Sequence, residues 1–295
     1  MKTLIKSGDK DYNYSCLIPY RDSTDRRENL WFVLSHLSKL PASVEIILIE
    51  QDNRKKIKLP KRFNRVKHVF LKNDNYFNKS WALNCGLNHI STDTIVFHDA
   101  DFFVDLDVLS HSSYLCKNNY DCVTPWTNQT FLNEDNRQRI FNNKTLDRSK
   151  VSQKPVDLAS PTLTMRDEGP SAVPWAAGII TIARKALYRI GCWDENFSGW
   201  GWEDEAFSYK ISMFLKHCFI QNEAIHIYHL KELKDTWLSP MFKHNSSEID
   251  KIKSLSKNDL HKKITEQKDL LGDPFKYTPK KLINYTKNTV TYKLY

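Results

Sequence analysis

Short apolar runs alternate with segments of helical spacing along the first third of the chain, and polar triplets punctuate them. Tyr14-Ser-Cys-Leu-Ile-Pro19 is an apolar run stopped by proline and predicts a strand. Between Asp25 and Leu40, the residues Leu30, Val33, Leu34 and Leu37 recur at helical spacing. Val44–Ile49 and Val66–Leu71 read as further strands. Lys79–Ile90 offers Trp81, Leu83, Leu87 and Ile90 as the buried stripe of a helix, and Thr94–Phe97 suits a strand covered on both faces. This alternation predicts an α/β fold with a mostly parallel sheet, whose ligand sits at the carboxyl ends of the strands. Tyr20-Arg21-Asp22, Glu50-Gln51-Asp52 and Asp99-Ala100-Asp101 each follow a predicted strand directly. On one parallel sheet they would gather along one edge.

The second half is less regular. Asn128–Val173 is polar, carries Pro155, Pro161 and Pro170, and reads as a long loop region with room for a hairpin over that edge. Pro174–Ile182 reads as a buried strand, Arg184–Ile190 as a short helix closed by Gly191, Glu203–Leu215 as a helix and Glu223–Tyr228 as a strand. Beyond Pro240 the pattern is polar, with a helix expected around Glu248–Leu271. The domain reading is one domain over 1–240, with a first half over about 14–110 and a second over about 120–240. A basic, helical extension follows over 241–295.

Composition narrows the function classes. With 295 residues, 40% hydrophobic and 27% charged, the chain has the makeup of a globular protein with a sizeable core. The first residues carry no apolar h-region, and no apolar run is long enough to span a bilayer. Six cysteines without CxxC spacing read as buried thiols in a reducing, cytoplasmic compartment. Net charge is +9, and Met241–Tyr295 holds twelve lysines against six acidic residues. Such a segment suits a nucleic acid, an anionic membrane surface or an acidic polysaccharide. A solvated helical face explains it more simply.

Three constellations carry candidate chemistry. Asp99 and Asp101 are two apart, so on an extended segment both carboxylates share a face and can serve one hard cation. A turn or helix cap is the plain alternative. Ser198-Gly-Trp-Gly-Trp-Glu-Asp-Glu205 is more specific. Its glycines permit unusual backbone angles and close ligand approach, and Trp200 and Trp202 suit a stacked sugar ring. Its acidic trio then opens a helix, where negative charge is favoured. His226 and His229 are three apart, so on a strand they face opposite sides and at most one would reach a given metal.

In order along the chain, Ile18-Pro-Tyr-Arg-Asp22, Phe77-Asn-Lys-Ser-Trp-Ala-Leu-Asn-Cys-Gly86, Val96-Phe-His-Asp-Ala-Asp101 and Ala177-Gly-Ile-Ile with Gly191–Asp204 resemble glycosyltransferases of the GT-A fold. The similarity is greatest to the β-1,4-galactosyltransferase C-terminal region and to bacterial chondroitin-polymerase-type enzymes. It implies a hexosyl- or N-acetylhexosaminyl-transferase that uses a nucleotide-sugar, a UDP-sugar in these relatives, with Mn²⁺ or Mg²⁺. It places Pro19, Tyr20, Arg21 and Asp52 at the uridine end. Phe77, Asn78 and Lys79 would line the nucleotide site, with Lys79 near phosphate. Asp101 would be the firm metal ligand, Asp99 would serve ribose or metal, and His229, favoured over His226, would complete the metal site. Gly178 would lie under the donor sugar, Trp202 would close over it, and Asp204 would be the general base with Glu203 beside it. The chain departs from the galactosyltransferases in lacking their extra glycine and longer acidic run at Trp202–Glu205, and in histidine spacing.

The expected reaction is a metal-dependent inverting transfer to a hydroxyl of a glycan or other biopolymer. A nucleotidyltransferase would want a glycine-rich phosphate loop after the first strand, and Ile18-Pro-Tyr-Arg-Asp-Ser has no glycine. A non-catalytic sugar- or nucleic-acid-binding protein on the same fold would be marked by loss of a metal or base carboxylate, and both are present.

Overall fold

The computed structural model describes residues 13–143, 156–157, 164–166, 169–171, 176–230, 236–267 and 271–278. In chain order the elements are β1 (Ser15–Tyr20), α1 (Thr24–Leu37), β2 (Glu45–Asp52), β3 (Val66–Lys72), α2 (Lys79–Gly86), β4 (Thr94–His98), β5 (Phe102–Phe103), α3 (Leu106–Asn118), β6 (Cys122–Thr124) and β7 (Asn128–Phe131). There follow α4 (Glu134–Asn143), β8 (Val156–Asp157), β9 (Thr164–Arg166), β10 (Gly169–Ser171), β11 (Ile179–Ala183), α5 (Arg184–Arg189), α6 (Glu203–Phe214), β12 (His217–Phe219), β13 (Glu223–His226), α7 (Pro240–Ser254) and α8 (Lys257–Gln267).

The central sheet has seven strands in the order β12-β6-β11-β4-β1-β2-β3. Its pairings are parallel except those of β11, which runs antiparallel to both β4 and β6. The chain leaves the carboxyl edge at the end of β6 and re-enters beside His98, where Ile179 pairs, so β11 must run backwards. The strands β4, β1 and β2 are neighbours, which brings the three polar clusters to one edge. Pairing of β1 with β4 stops at Leu17 and Phe97, while β1 follows β2 as far as Tyr20. Pro19 has no N–H to donate, so the ends of β1 and β4 part and open a crevice where ligands of such sheets lie.

Alternation along the strands sends residues to two cores. Cys16, Ile18, Ile46, Leu48 and Val96 pack under α1 and α3, with Leu30, Leu34 and Leu109. Leu17, Ile47, Ile49, Ile95 and Phe97 pack under α2, α5 and α6, with Trp81, Leu187, Phe207 and Ile211. A third cluster joins Phe197 and Ala206 to Ile249, Ile252, Leu260 and Ile264 of α7 and α8.

The elements that the pattern missed have a common cause. The buried face of α3 is Leu109, Ser112, Ser113 and Cys116, which gives almost no apolar periodicity. Ser112 is nonetheless satisfied, donating to Leu109 O at 2.6 Å and sharing a bond with Thr181 Oγ1. The strands β5, β6 and β12 are only two or three residues long. The expected loop over 128–173 instead holds β7 and α4, whose polar residues hide them from an apolar pattern; its hairpin exists as β9 with β10, and β7 and β8 join β5 and β13 in a second sheet of order β5-β13-β7-β8. The last helical segment begins at Pro240, where Ser239 caps it, and is split in two rather than running from Glu248. Pro155, Pro161, the first two residues of the run expected at Pro174–Ile182, residues 268–270 of the expected last helix and the lysine-rich residues 279–295 lie outside the described residues.

Candidate active site

Asp99 and Asp101 lie just beyond β4, and the chain there is fixed by backbone bonds. Asp99 N donates to Gly178 O at 2.7 Å, and Ile227 N donates to Asp101 O at 2.7 Å. Gly178 sits at φ 75°, and a Cβ on it would come within 2.5 Å of the Phe102 ring, so only glycine fits. The close approach at Gly178 is therefore to Phe102.

The two carboxylates face different partners. Lys79, the first residue of α2, places Nζ 2.9 Å from Asp99 Oδ1 and 2.9 Å from Asp204 Oδ1. Asn78 caps the helix by accepting from Trp81 N at 2.8 Å, which aims Lys79 at the edge. Burial opposes the charge on Lys79, but Asp204, Asp99 and Glu203 hold its pKa above the usual range. Burial pushes Asp99 up to about 6 against the pull of Lys79. Glu203 is pushed up to about 8 by burial and by Asp204, and its Oε2 is enclosed with no hydrogen-bond partner among the described residues.

Asp101 turns the other way, toward two imidazoles. His229 Nε2 lies 3.3 Å from Asp101 Oδ2, and His226 Nε2 lies 3.9 Å from Oδ1. One ligand atom from each of these three residues falls within 4.8 Å of the others. Ligand atoms about 2.1 Å from one ion sit roughly 3–4 Å apart, so the spacing fits a metal site. His229 Nδ1 lies 3.1 Å from Leu230 O; donating there leaves the Nε2 lone pair facing Asp101. Burial works against ionisation of Asp101, yet His226 and His229, when protonated, hold its carboxyl below the usual range; when neutral they offer lone pairs instead. The segment is held by α1, where Asn29 Nδ2 donates to Tyr228 O at 3.0 Å. Both histidines reach Asp101, whereas alternation along a strand would send them to opposite sides. The strand ends at His226, and the non-strand backbone after it turns His229 back. Asp99 stands outside this cluster.

At the ends of β1 and β2, where the resemblance puts a nucleotide, many polar atoms are already engaged within the protein. Tyr20 is buried and donates its hydroxyl to Asp22 Oδ1 at 2.9 Å. Arg21 donates to Gln51 O at 2.9 Å, Asn75 O at 2.6 Å and Asn73 O at 3.2 Å, and its guanidinium lies 5.7 Å from the Phe77 ring centroid. It therefore staples the loop before α2. Gln51 Oε1 accepts from Asn73 Nδ2 and Asn78 N, both at 2.7 Å. The sequence marks Gln51 only as the middle of the Glu50-Gln51-Asp52 cluster after β2, and nothing local marks Asn73. Asp52 Oδ1 takes Lys56 at 2.9 Å, while its Oδ2 is enclosed without a partner among the described residues.

Trp202 adopts φ 75°, an uncommon backbone for a bulky residue, and Asp204 follows it in the first turn of α6. Trp200 and Trp202 both pack on Phe242 of α7, with ring centroids 5.5 Å away in each case. Trp193, stacked on Phe207 at 3.9 Å, lies beneath Lys79.

A mostly parallel, helix-flanked sheet with acidic residues at the carboxyl edge beside a topological crevice defines an α/β protein of the GT-A class. The chain belongs to the family described as glycosyltransferase like family 2, whose model matches residues 15–258. Among solved structures, S. aureus TarS residues 1–349 is similar at 11% identity and TM-score 0.53, covering 84% of this chain and 68% of that one. A Drosophila β-1,4-galactosyltransferase 7 complex with manganese, UDP-Gal and xylobiose is similar at 16% identity and TM-score 0.44, covering 74% and 71%. GalNAc-T7 with UDP, GalNAc and Mn²⁺ is similar at 14% identity and TM-score 0.46, covering 74% and 44%. No curated protein sequence matches the chain. No helix among the described residues is long and apolar enough to cross a membrane.

Proposed function

We propose that this chain is a metal-dependent, inverting glycosyltransferase that moves a hexosyl or N-acetylhexosaminyl group from a UDP-sugar to a glycan hydroxyl. The observation that carries the reading is the split at the end of β4: Asp101 meets two histidines, and Asp99 meets a lysine shared with Asp204. Asp101, His226 and His229 would hold the cation, and two imidazoles beside one carboxylate favour Mn²⁺ over Mg²⁺. A cation bound there would neutralise charge on a nucleoside diphosphate.

Lys79 supplies a fixed positive charge for the departing diphosphate. Asp52 Oδ2 is an enclosed acceptor without a partner among the described residues, suited to an N–H of a pyrimidine base in the crevice. Asp204 takes the proton of the acceptor hydroxyl as that oxygen attacks the anomeric carbon. The bond to the diphosphate breaks on the opposite face, so one displacement inverts the configuration. Glu203, uncharged at neutral pH, can donate to a sugar oxygen. The six cysteines are all unpaired, which supports a reducing, cytoplasmic setting. The lysine excess leaves room for an anionic acceptor.

The test is a donor screen. Purified protein with Mn²⁺ is given a panel of nucleotide-sugars and their slow hydrolysis is followed. We expect one UDP-sugar to be cleaved, and chelation to stop it. Cleavage unaffected by chelator would overturn the metal assignment, and release of pyrophosphate from a nucleoside triphosphate with sugar phosphate would favour the nucleotidyltransferase.

A further inference from the structure

We infer that helix α7, at the start of the lysine-rich segment, positions the catalytic loop Ser198–Trp202 through Asn245 and Phe242. The inference rests on the reading of Trp202 and Asp204 given above. Its first support is Asn245, which is fully buried and spends its whole amide on the loop. Its Oδ1 accepts from Ser198 N at 3.3 Å, and its Nδ2 donates to Ser198 O at 3.0 Å and to Gly201 O at 2.9 Å. One turn earlier Phe242 stacks on Trp200 at an interplanar angle of 18° and meets Trp202 at 44°.

The glycines give the second support. Gly199 and Gly201 have φ of 73° and 101°, so a side chain at either would be strained. A Cβ on Gly201 would come within 2.8 Å of the Phe242 ring, and one on Gly199 within 3.0 Å of Met241. In the sequence these glycines read as space for a ligand. In the fold, the space at both is taken by α7. On its other side the loop is tied to the nucleotide region, where Gly199 N donates to Phe77 O at 2.7 Å. The loop is thus held between the residue two before Lys79 and α7. Those ties set Trp202 in its uncommon backbone and, directly after it, the start of α6 that bears Asp204.

Asn245 and Phe242 are accordingly positioning residues. Neither contacts Lys79, Asp99 or Asp204 in any hydrogen bond or ring pair described above; α7 also meets α6 directly, where Ile249 and Ile252 pack with Ala206 and Lys253 pairs with Glu205, and substitutions at Asn245 and Phe242 leave those contacts in place. Misplacing a reacting group by about 1 Å can cost roughly 100-fold in rate. The same loss of ties frees backbone amides that were protected.

The experiment uses the full chain and the variants Asn245→Ala, Asn245→Asp, Phe242→Leu and Phe242→Tyr. Hydrogen exchange by mass spectrometry is read over 198–204, UDP affinity by calorimetry, and transfer by kcat and acceptor KM. We expect Asn245→Ala and Asn245→Asp to raise exchange over 198–204 by about tenfold or more, with exchange over β1, β2 and β4 unchanged. We expect kcat to fall by about 100-fold while UDP affinity stays within about twofold. Phe242→Tyr keeps the ring and should retain the parent values, whereas Phe242→Leu should fall between. Unchanged exchange and kcat in Asn245→Ala would overturn the inference. So would exchange raised across the whole chain with UDP affinity and kcat lost together, the mark of a general packing role. If an alanine variant does not fold, Phe242→Leu against Phe242→Tyr decides. If the parent cleaves no nucleotide-sugar, the functional reading fails, and exchange still judges the clamp.

Discussion

Asp99 and Asp101 are two residues apart, and their surroundings are opposite in kind. Asp99 meets a protonated amine that also serves Asp204. Asp101 meets two imidazoles whose Nε2 atoms face it. An ammonium has only protons to give and cannot ligate a cation, whereas a neutral imidazole has a lone pair. In the proposed function the same short acidic motif would serve two tasks, with charge balance for the leaving group on one side and metal capture on the other. The lesson is that a carboxylate's role is fixed by what faces it, and the facing groups come from α2, α6, the end of β13 and the segment after it.

The strongest way to break this division is to remove Asp101. Asp101→Ala should abolish metal-dependent turnover, a loss on the order of a thousandfold or more, since a Lewis acid is worth several kcal/mol. Full turnover by that variant in chelator would sink the assignment. Asp204→Asn keeps size and cannot accept a proton; transfer should fall by about 100- to 10,000-fold with donor and metal binding nearly normal. If Glu203→Gln is dead and Asp204→Asn is not, the base is Glu203.

The histidines sharpen the comparison further. His226→Ala and His229→Ala should each weaken Mn²⁺ binding by at least about tenfold, as losses even of groups behind a ligand do. His229 should matter more, being nearer at 3.3 Å. Asp99→Asn should leave Mn²⁺ affinity within about threefold while lowering turnover through Lys79. A metal titration of the three variants decides it, and an Asp99→Asn effect as large as that of His229→Ala would return Asp99 to the metal.

The smallest effect concerns pH. The carboxyl of Glu203 sits at about 8 in the fold against an ordinary 4.5. Between those values the folded chain binds more protons than the unfolded one at this residue, so its contribution makes stability fall as pH rises. Glu203→Gln removes that contribution, and thermal unfolding at about pH 5 and about pH 9 should show a smaller decline for the variant than for the parent. An unchanged or steeper decline would mean that the group ionises freely in the fold.

The sequence made the front half of the sheet legible because β1, β2 and β4 contain continuous apolar runs, β3 is mostly apolar, and α1 has Leu30, Val33, Leu34 and Leu37 at helical spacing. It was silent where burial does not look apolar. Serines face the core from α3, and Arg137, only 3% exposed, ties α4 to Asn29 of α1 at 3.0 Å. It was also silent where contacts are long-range. Nothing local to Trp81 tells that its Nε1 donates to Asp273 O at 2.7 Å, or that Asn78 meets Tyr277 at 3.0 Å.

By itself, then, the sequence determined the fold class, the family and the set of residue types at the strand ends, because periodicity and short motifs are local properties. Tertiary structure alone decided how those residues pair. It gave Lys79 to Asp99 and Asp204, brought both histidines to Asp101, and filled the space at the loop glycines with α7. Each of these pairings joins segments far apart in the chain. Which carboxylate meets an amine and which meets an imidazole depends on where the backbone turns after a strand ends, and no short stretch of residues encodes that.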